Sequence, residues 1–312
     1  MRIVEELSQI KPERETLLTI GVFDGVHIGH QALLTRLRDE AREKGLLSGV
    51  VTFRCHPQKV LHPEHKLMWL SDLNTRVELI RALGINFVIP LAFTQEIAKL
   101  GAKEFAQLLK EHLKMRGLVV GPDFALGRNR EGNARYLKLL GEEIGFTVEA
   151  ISPVVVNGDV ISSSAIRAAL ANGDVAKVQR LFGRPFSLTG KVVAGDQRGR
   201  TLGFPTANID VGPDQALPGD GVYVTVAHVG KDLLPSVTNI GVRPTFGSGE
   251  RLVETYIMDY DGKLKGRRLT IELVDKLRDE KRFGSVDELK AQMAKDVSEA
   301  RNMLEKRAEK EG

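Results

Sequence analysis

The sequence predicts an α/β domain built on a parallel sheet, followed by a small antiparallel β-barrel and a C-terminal helix. In the first half, short β-rich runs alternate with helical patterns, which indicates parallel strands joined by crossover helices. After Gly183-Arg184-Pro185 the helical periodicity stops, and strand-like runs separated by glycine and proline follow one another. A chain of 312 residues is long for one core, so we predict two domains, residues 1–182 and 183–312.

The individual elements follow from the same periodicities. Apolar and β-branched runs predict strands in the first domain at residues 17–23, 49–53, 87–91, 118–120 and 146–151. Amphipathic spacing predicts helices from about Gly29 and at residues 72–83, 94–115, 134–144, 162–170 and 174–181. The barrel strands are predicted at residues 187–194, 222–229, 236–240, 252–258 and 269–274. A final helix begins at Ser285, which forms a capping box with Glu288, and runs toward Lys306.

Composition and charge exclude several classes of protein. The net charge is only +4, and basic residues are interleaved with acidic ones, so we predict no nucleic-acid partner. No apolar run approaches the roughly 20 residues that cross a bilayer, and residues 1–11 lack the plan of a secretory signal. We therefore predict no membrane association. The single cysteine, Cys55, cannot form an internal disulfide, which predicts a cytoplasmic location.

The first candidate site lies at residues 21–30, where a predicted strand runs into a glycine-rich turn and then a helix. This layout directs backbone N–H groups and the positive helix end at a phosphate, and Gly21, Gly25 and Gly29 leave room for it. His27 and His30 are three residues apart, so in a helical turn both can donate hydrogen bonds to one anion. An ordinary helix start is the alternative. A zinc site among the histidines of residues 27–65 is another, although no His-Glu-x-x-His or Cys-x-x-Cys motif frames it.

The segment Ile-Ser-Ser-Ser-Ala-Ile-Arg at residues 161–167 fits the same site. It places hydroxyls at a helix start, where they can cap the helix or bind a phosphate. Arg167 lies one turn along on the same side. Plain N-capping accounts for one serine and leaves the other two serines and the arginine unexplained.

The second candidate site lies at residues 195–208. The chain contains neither a P-loop nor a Gly-x-Gly-x-x-Gly fingerprint, so the familiar phosphate loops are excluded. Instead, Gly195, Gly199 and Gly203 with two arginines form a basic loop suited to covering a polyphosphate. Thr206 and Asn208 offer oxygen ligands to Mg²⁺, which takes few protein ligands and keeps several waters. A surface β-turn is the alternative.

Motifs in a fixed order carry a resemblance to a known family. They lie at residues 21–30, 121–124 (Gly-Pro-Asp-Phe), 161–167, 204–208 (Phe-Pro-Thr-Ala-Asn), 239–247 (Asn-Ile-Gly-Val-Arg-Pro-Thr-Phe-Gly) and 253–254 (Val-Glu). Over essentially its whole length the chain resembles the prokaryotic bifunctional riboflavin kinase/FMN adenylyltransferase (FAD synthetase) family. The resemblance implies a Rossmann-like nucleotidyltransferase domain that adenylylates FMN, and a barrel that phosphorylates riboflavin. It also implies Mg²⁺, ATP as substrate, and riboflavin, FMN and FAD as substrates and products.

The resemblance further implies roles for individual residues. In the barrel, Glu254 would be the base for the ribityl hydroxyl, while Thr206 and Asn208 would hold Mg-ATP with the loop glycines 195, 199 and 203. In the first domain His27 and His30 would be catalytic, within an ATP-binding set of Gly21, Phe23, Asp24, His27, Gly29, His30, Ser163, Ser164 and Arg167. The flavin would lie near Asp123 and Phe124 in the first domain, and near Arg278 and Phe283 in the barrel.

Four positions depart from the family's pattern. Ala125 and Leu126 replace a frequent Arg-Phe, Lys265 replaces an aromatic residue, and Tyr256 replaces a histidine, which concerns flavin affinity rather than the chemistry. Two other functions stay open: a single-activity nucleotidyltransferase of another substrate, and a flavin or nucleotide sensor. The run at residues 205–208 argues against the first, and the intact pair His27/His30 argues against the second. We expect small-molecule substrates, no obligate protein partner, and a monomer or weak homo-oligomer.

Overall fold

The computed structural model describes residues 2–64, 66–195, 198–242 and 251–311, without the side chains of Arg198, Arg200, Lys310 and Glu311. Its contacts divide the chain into two units, residues 1–163 and 164–312. The predicted domain boundary between residues 182 and 183 stays a prediction about which fragment folds alone. Among the described helices, none is both long and apolar enough to cross a membrane.

The first unit is built on a parallel sheet of five strands within the described residues, in the order β3-β2-β1-β4-β7. The pairs β5-β6 and β8-β9 form two separate two-stranded sheets. The strands of the unit are β1 Thr16–Ile20, β2 Leu47–Phe53, β3 Phe87–Leu91, β4 Met115–Val120, β5 Ala125–Leu126, β6 Gly132–Asn133, β7 Thr147–Ala150, β8 Val155–Val156 and β9 Asp159–Val160. Its helices are α1 Arg2–Leu7, α2 Ile28–Glu43, α3 Pro57–Leu61, α4 Leu73–Ala82, α5 Gln95–Lys99, α6 Ala102–Leu113 and α7 Ala134–Ile144, with a 3₁₀ turn at Arg128–Arg130.

The middle strand β1 is buried along its whole length, as expected where helices cover both faces of a parallel sheet. Leu18 and Ile20 pack into a core shared with α1, α6 and α7. Leu17 faces the other side and packs into the core under α2. Since β1 and β4 are parallel neighbours, their carboxyl ends meet at one edge of the sheet. The loops that follow these two strands therefore emerge side by side, where open α/β sheets bind ligands.

The second unit is a closed antiparallel barrel, in the order β10-β11-β14-β13-β12-β15 through the residues that the structure describes. Its strands are β10 Ser187–Val193, β11 Thr206–Asp210, β12 Gly221–Val229, β13 Asp232–Val242, β14 Arg251–Ile257 and β15 Arg268–Arg278. Helices α8 Ser163–Ala171 and α9 Val175–Phe182 precede the barrel, a short α10 spans Arg198–Thr201, and α11 spans Val286–Glu311.

The alternation along β14 separates side chains that point into the barrel from those on its outer face. Thr255 points inward, where its hydroxyl lies 2.9 Å from that of Thr238, which in turn lies 2.8 Å from that of Thr225. All three side chains are fully buried, so this hydroxyl ladder satisfies polar groups that the barrel encloses. Glu254 and Tyr256 occupy the alternate positions and line a cavity on the outer face.

These topologies confirm the predicted fold class, with differences at the motifs. The strand β11 is not among the predicted barrel strands, because the glycine-rich segment before it indicates a turn. The predicted strand at residues 17–23 ends at Ile20, since Phe23 adopts a left-handed conformation with φ of 52°. Ser285 caps α11 as predicted, accepting from the Glu288 amide at 3.2 Å, but the Glu288 carboxylate accepts from the Gly284 amide.

Candidate active sites

The loop after β1 brings the two predicted histidines together. His27 is the N-cap of α2, and its Nδ1 accepts a hydrogen bond from the His30 amide at 3.3 Å. The two imidazole rings are stacked with centroids 3.6 Å apart. A Cβ added to Gly29 would lie 3.3 Å from the His27 ring, so the glycine allows this close packing. The pair therefore lies at the positive end of a helix of 16 residues.

The surroundings of the pair determine where its protons reside. Burial lowers the pKa of His30 well below its ordinary value, and the neighbouring His27 and Arg76 lower it further. His30 is therefore neutral near pH 7. His27 uses Nδ1 as an acceptor, so its neutral form carries the proton on Nε2. His30 Nδ1 is buried with no hydrogen-bond partner in the described chain, which favours the Nε2–H form for this ring too. We infer that both rings offer Nε2–H as a donor.

The rest of the loop is held from beneath. The Phe23 ring is buried and would lie 3.0 Å from a Cβ on Gly21, which explains why glycine occupies that position. The carboxylate of Asp24 is buried and accepts from the Leu70 amide at 3.0 Å and the Ser71 amide at 3.2 Å. Asp24, one of the predicted ATP-binding residues, therefore uses its carboxylate to hold the backbone of Leu70 and Ser71 against the loop.

One serine of the motif at residues 161–167 contacts this loop. The Ser163 hydroxyl donates to the backbone carbonyl of Asp24 at 3.2 Å, so the predicted proximity of the two motifs holds for that residue. Ser164 and Arg167 fall in the second compact unit. Their part in ATP binding stays a prediction.

The predicted flavin contacts of the first unit follow β4 directly, beside the loop that follows β1. Asp123 is exposed, and the half-buried Phe124 packs against the core. Leu126, one of the departures from the family's pattern, is buried in that core, and Ala125 is half-buried beside it. Ala125 and Leu126 therefore offer apolar packing and no polar side-chain group at this edge.

Arg76 lies directly under the first loop, and the sequence analysis missed it. It is almost fully buried under the loop, where its guanidinium donates to the carbonyl oxygens of Val22 at 2.6 Å and Phe53 at 3.3 Å. It also stacks on Trp69, with 4.5 Å from guanidinium carbon to ring centroid. The signal was present: Arg76 and Ile80, four residues apart, are both on the buried face of α4. An arginine on an apolar helix face is rare unless it is paired or functional.

The second site is a cavity of about 350 Å³ on the outer face of the barrel. Strand register places Asn208 opposite Glu254, and Glu254 opposite Asn239 on the next strand. Since cross-strand partners share a face, these three side chains form a polar row. Thr206 shares the face of Asn208 and lines the cavity. Much of the remaining wall is apolar and includes Leu202, Phe204, Val222, Val237, Leu252, Leu289, Met293 and Val297.

The predicted glycine loop lies against the two predicted metal ligands. A Cβ on Gly195 would overlap the Asn208 amide, and a Cβ on Gly199 would overlap the Phe204 carbonyl and lie 3.2 Å from the Thr206 hydroxyl. Gly203 has a φ of 89° with open space around it, which suits the turn back into β11. The side chains of both loop arginines lie outside the described part, as do residues 196–197 and 243–247 of the two motifs.

A purely structural role for Glu254 would be an ion pair with Arg251, and the contacts of Arg251 argue against it. Arg251 Nε donates to Asp220 at 2.8 Å, and Nη2 donates to the Pro218 carbonyl. Glu254 is half-buried, and its neighbours in the strand register are amides. The carboxylate is therefore turned to the cavity rather than committed to that arginine.

Arg278 and Phe283, the predicted flavin contacts of the barrel, both line the cavity. The Arg278 guanidinium donates to the buried Asp296 of α11, at 3.0 Å from Nε to Oδ1 and 2.7 Å from Nη2 to Oδ2. This two-point ion pair ties the end of β15 to the helix that forms the cavity wall. Asp296 was missed because its partner lies on another element.

The remaining departures and the zinc alternative can also be located. Tyr256 lines the cavity with its ring centroid 5.4 Å from that of Phe204, whereas Lys265 is exposed. In the part of the chain that the structure describes, no group of three or more histidine, cysteine, aspartate or glutamate side chains is arranged to hold a metal. His65 lies outside the described residues.

Comparisons with known proteins agree with the two units. An FAD synthetase family model matches residues 9–165, and a riboflavin kinase family model matches residues 182–304. A relative from Escherichia coli (strain K12), named bifunctional riboflavin kinase/FMN adenylyltransferase, is 40% identical over 97% of this chain and 97% of its own. A relative of the same name from Bacillus subtilis is 34% identical over 93% of each chain.

Similarity to a solved structure also extends over nearly the whole chain. A Streptococcus pneumoniae protein, described as a macrolide-efflux protein, has a TM-score of 0.88 and 30% identity over 95% of this chain and 97% of its own. The motifs, both family models and the full-length relatives agree. The chain belongs to the bifunctional riboflavin kinase/FMN adenylyltransferase family.

Proposed function

We propose that this chain makes FAD in two ATP-dependent steps, phosphorylating riboflavin in the barrel and adenylylating the resulting FMN in the α/β unit. The observation that carries the proposal is the polar row Asn208, Glu254 and Asn239 at the edge of a cavity with an otherwise largely apolar wall. An apolar ring system with a polyol chain matches this division, because the wall can cover the rings while the row meets the hydroxyls.

In the kinase step, Glu254 accepts the proton of the ribityl 5′-hydroxyl as that oxygen attacks the γ-phosphorus of ATP. The new O–P bond forms while the bond from the γ-phosphorus to the bridging oxygen breaks, so the products are FMN and ADP. A half-buried carboxylate between amides is suited to orient the hydroxyl and to take its proton.

Thr206 and Asn208 are proposed to hold Mg²⁺. Their hydroxyl and amide oxygens lie on one face of β11, and oxygen donors of this kind suit Mg²⁺ better than softer metals. Bound with ATP, the ion would neutralise charge on the phosphates. The packing of Gly195 and Gly199 against these two side chains supports the proposal that loop 195–203 covers the nucleotide.

In the adenylylation step, a phosphate oxygen of FMN attacks the α-phosphorus of a second ATP, and pyrophosphate leaves. His27 and His30 are proposed to donate from Nε2 to the charge that develops on the α-phosphate oxygens. The N-terminus of α2 adds positive potential at the same place. We propose that Ser163, Ser164 and Arg167 complete the ATP contacts, and that Asp123 and Phe124 adjoin the flavin.

The proposal is tested by incubating the purified full-length protein with riboflavin, ATP and Mg²⁺ and separating the flavins by chromatography. FMN should appear first and FAD later, and supplied FMN should give FAD without riboflavin. FAD formed only from supplied FMN would limit the chain to a single adenylyltransferase activity. Flavin binding without any product would make it a sensor.

We further propose that the enzyme works in the cytoplasm, where ATP is supplied and the thiol of Cys55 stays reduced. We also propose a monomer or weak homo-oligomer. Sedimentation of the purified protein over a range of concentrations tests this expectation.

A further inference from the structure

We propose that Glu280 makes the kinase site discriminate against its own product, because its carboxylate lies beside the catalytic row and repels the phosphate dianion of FMN. Riboflavin carries no phosphate and is not repelled in this way. The inference rests on the proposed kinase function of the barrel. Its consequence is that FMN leaves the site in which it is made and becomes available for adenylylation.

Glu280 is held over β13 by two contacts. It belongs to the segment between β15 and α11, and its Oε1 accepts a hydrogen bond from Asn239 Nδ2 at 3.2 Å. A Cβ added to Gly241 would overlap the Glu280 carboxylate, so this glycine provides the space that the carboxylate occupies. Asn239 and Gly241 lie on the same face of β13. The carboxylate therefore rests on the face that lines the cavity.

The same amide brings the two carboxylates together. Asn239 is the cross-strand partner of Glu254, and such partners have Cβ atoms about 5 Å apart. Glu254 and Glu280 thus flank one asparagine, and all three residues line the cavity. If Glu254 meets the ribityl 5′-oxygen, the phosphate that becomes bonded to this oxygen must lie near both carboxylates.

Two described cations line the cavity, and both have contacts on the side of α11. Arg278 is paired with the buried Asp296. The Lys281 ammonium donates to Gln292 Oε1 of α11 at 3.0 Å and lies 5.2 Å from the Phe283 ring centroid, so it is engaged on the helix side. Among the described side chains, the hydrogen-bond partner of the Glu280 carboxylate is therefore the neutral amide of Asn239.

The size of the effect follows from charge and exposure. A phosphate monoester carries about −1.5 to −2 charges at pH 7, whereas riboflavin has no such group. Glu280 is exposed, so solvent and salt screen much of the repulsion. For like charges several ångströms apart at a partly solvated site, we expect Glu280 to weaken FMN binding about three- to tenfold.

The test compares Glu280→Gln with Asp279→Asn, a matched control that removes one negative charge from the adjacent residue. Asp279 is exposed, pairs with Lys276 at 2.6 Å and is not among the residues that line the cavity. Both changes are made in the full-length chain carrying His27→Ala and His30→Ala, so that added FMN is not converted to FAD. Inhibition of labelled riboflavin phosphorylation by FMN is measured from initial rates.

Glu280→Gln should lower the inhibition constant of FMN about three- to tenfold and change the KM for riboflavin by less. Asp279→Asn should leave the inhibition constant as in the parent. An unchanged FMN constant in Glu280→Gln, or an equal gain for riboflavin, would overturn the inference while leaving the kinase function intact. A parent enzyme that forms no FMN would instead refute the proposed function.

Discussion

His27 combines two roles that can be separated by substitution. Its Nδ1 caps α2 by accepting from the His30 amide, and its Nε2 is the proposed donor to the α-phosphate. The side-chain oxygen of asparagine can occupy the position of Nδ1, whereas the side-chain nitrogen of glutamine can reach that of Nε2. His27→Asn therefore keeps the cap and removes the donor. His27→Gln keeps a donor and removes the cap.

The expected magnitudes differ for the two substitutions. Loss of an N-cap acceptor typically costs about 1 kcal/mol of stability. Loss of one transition-state donor typically costs about 10²–10³ in rate. Both variants lose the ring that stacks on His30, so this packing loss cancels in the comparison. His27→Asn should thus lower FAD synthesis from FMN about 10²–10³-fold. His27→Gln should lose at most about tenfold of the parent's activity. It should also be about 1 kcal/mol less stable than His27→Asn.

The assay follows FAD formation from supplied FMN, with riboflavin phosphorylation as the internal control. Unfolding of the first unit can be followed separately, because the chain has one tryptophan, Trp69, which stacks on Arg76 there. If His27→Asn kept full FAD synthesis while His27→Gln lost it, His27 would act through the cap and the donor role would be wrong. Equal loss of both activities in His27→Asn would contradict the two-site model.

Three further predictions concern the base, the buried imidazole and the domain boundary. Glu254→Gln should lower riboflavin phosphorylation about 10²–10⁴-fold and leave FAD formation from FMN unchanged; near-normal kinase turnover would eliminate the proposed base. Because the pKa of folded His30 lies below the ordinary value of 6.5, the unfolded chain binds this proton first, so stability of the first unit should fall as pH drops below about 6.5. In His30→Gln the free energy of unfolding, measured by Trp69 fluorescence in urea, should change less steeply with pH, by up to about 1.4 kcal/mol per pH unit. An unchanged slope would contradict a depressed pKa of His30. Fragment 183–312 should phosphorylate riboflavin but melt at a lower temperature than fragment 164–312. The shorter fragment loses the hydrogen bond from the Gly219 amide to the Leu170 carbonyl and the packing of Phe182 on Phe186. Equal melting temperatures would favour the predicted boundary.

Most of the fold could be predicted from the sequence because the signals are local. Strands buried on both faces read as short apolar runs, and α2, α4, α6 and α7 have amphipathic spacing, so the α/β pattern was visible before any contact was known. The strand β11 was the main omission. Its residues 206–208 alternate as a strand does, but the glycine-rich segment before them indicated a turn.

The candidate site was predictable where the motif residues are close in the chain. His27 and His30 meet because a helix start brings residues three apart together, and Thr206 and Asn208 share a face because they alternate on one strand. The roles of individual groups were less accessible. The carboxylate of Asp24 is used to hold backbone, and the guanidinium of Arg278 is paired with Asp296.

The sequence alone thus determined the order of the main helices and strands, the residue types at each site and the family, since these depend on neighbouring residues and on motif order. Only the tertiary structure decided that Asn239 lies between Glu254 and Glu280, and that Arg76 is buried under the first loop. Those contacts depend on strand register in a closed barrel and on which helix covers which loop. A change of one residue in register would turn each strand's side chains to the opposite face, so such contacts are set by the packing of distant segments.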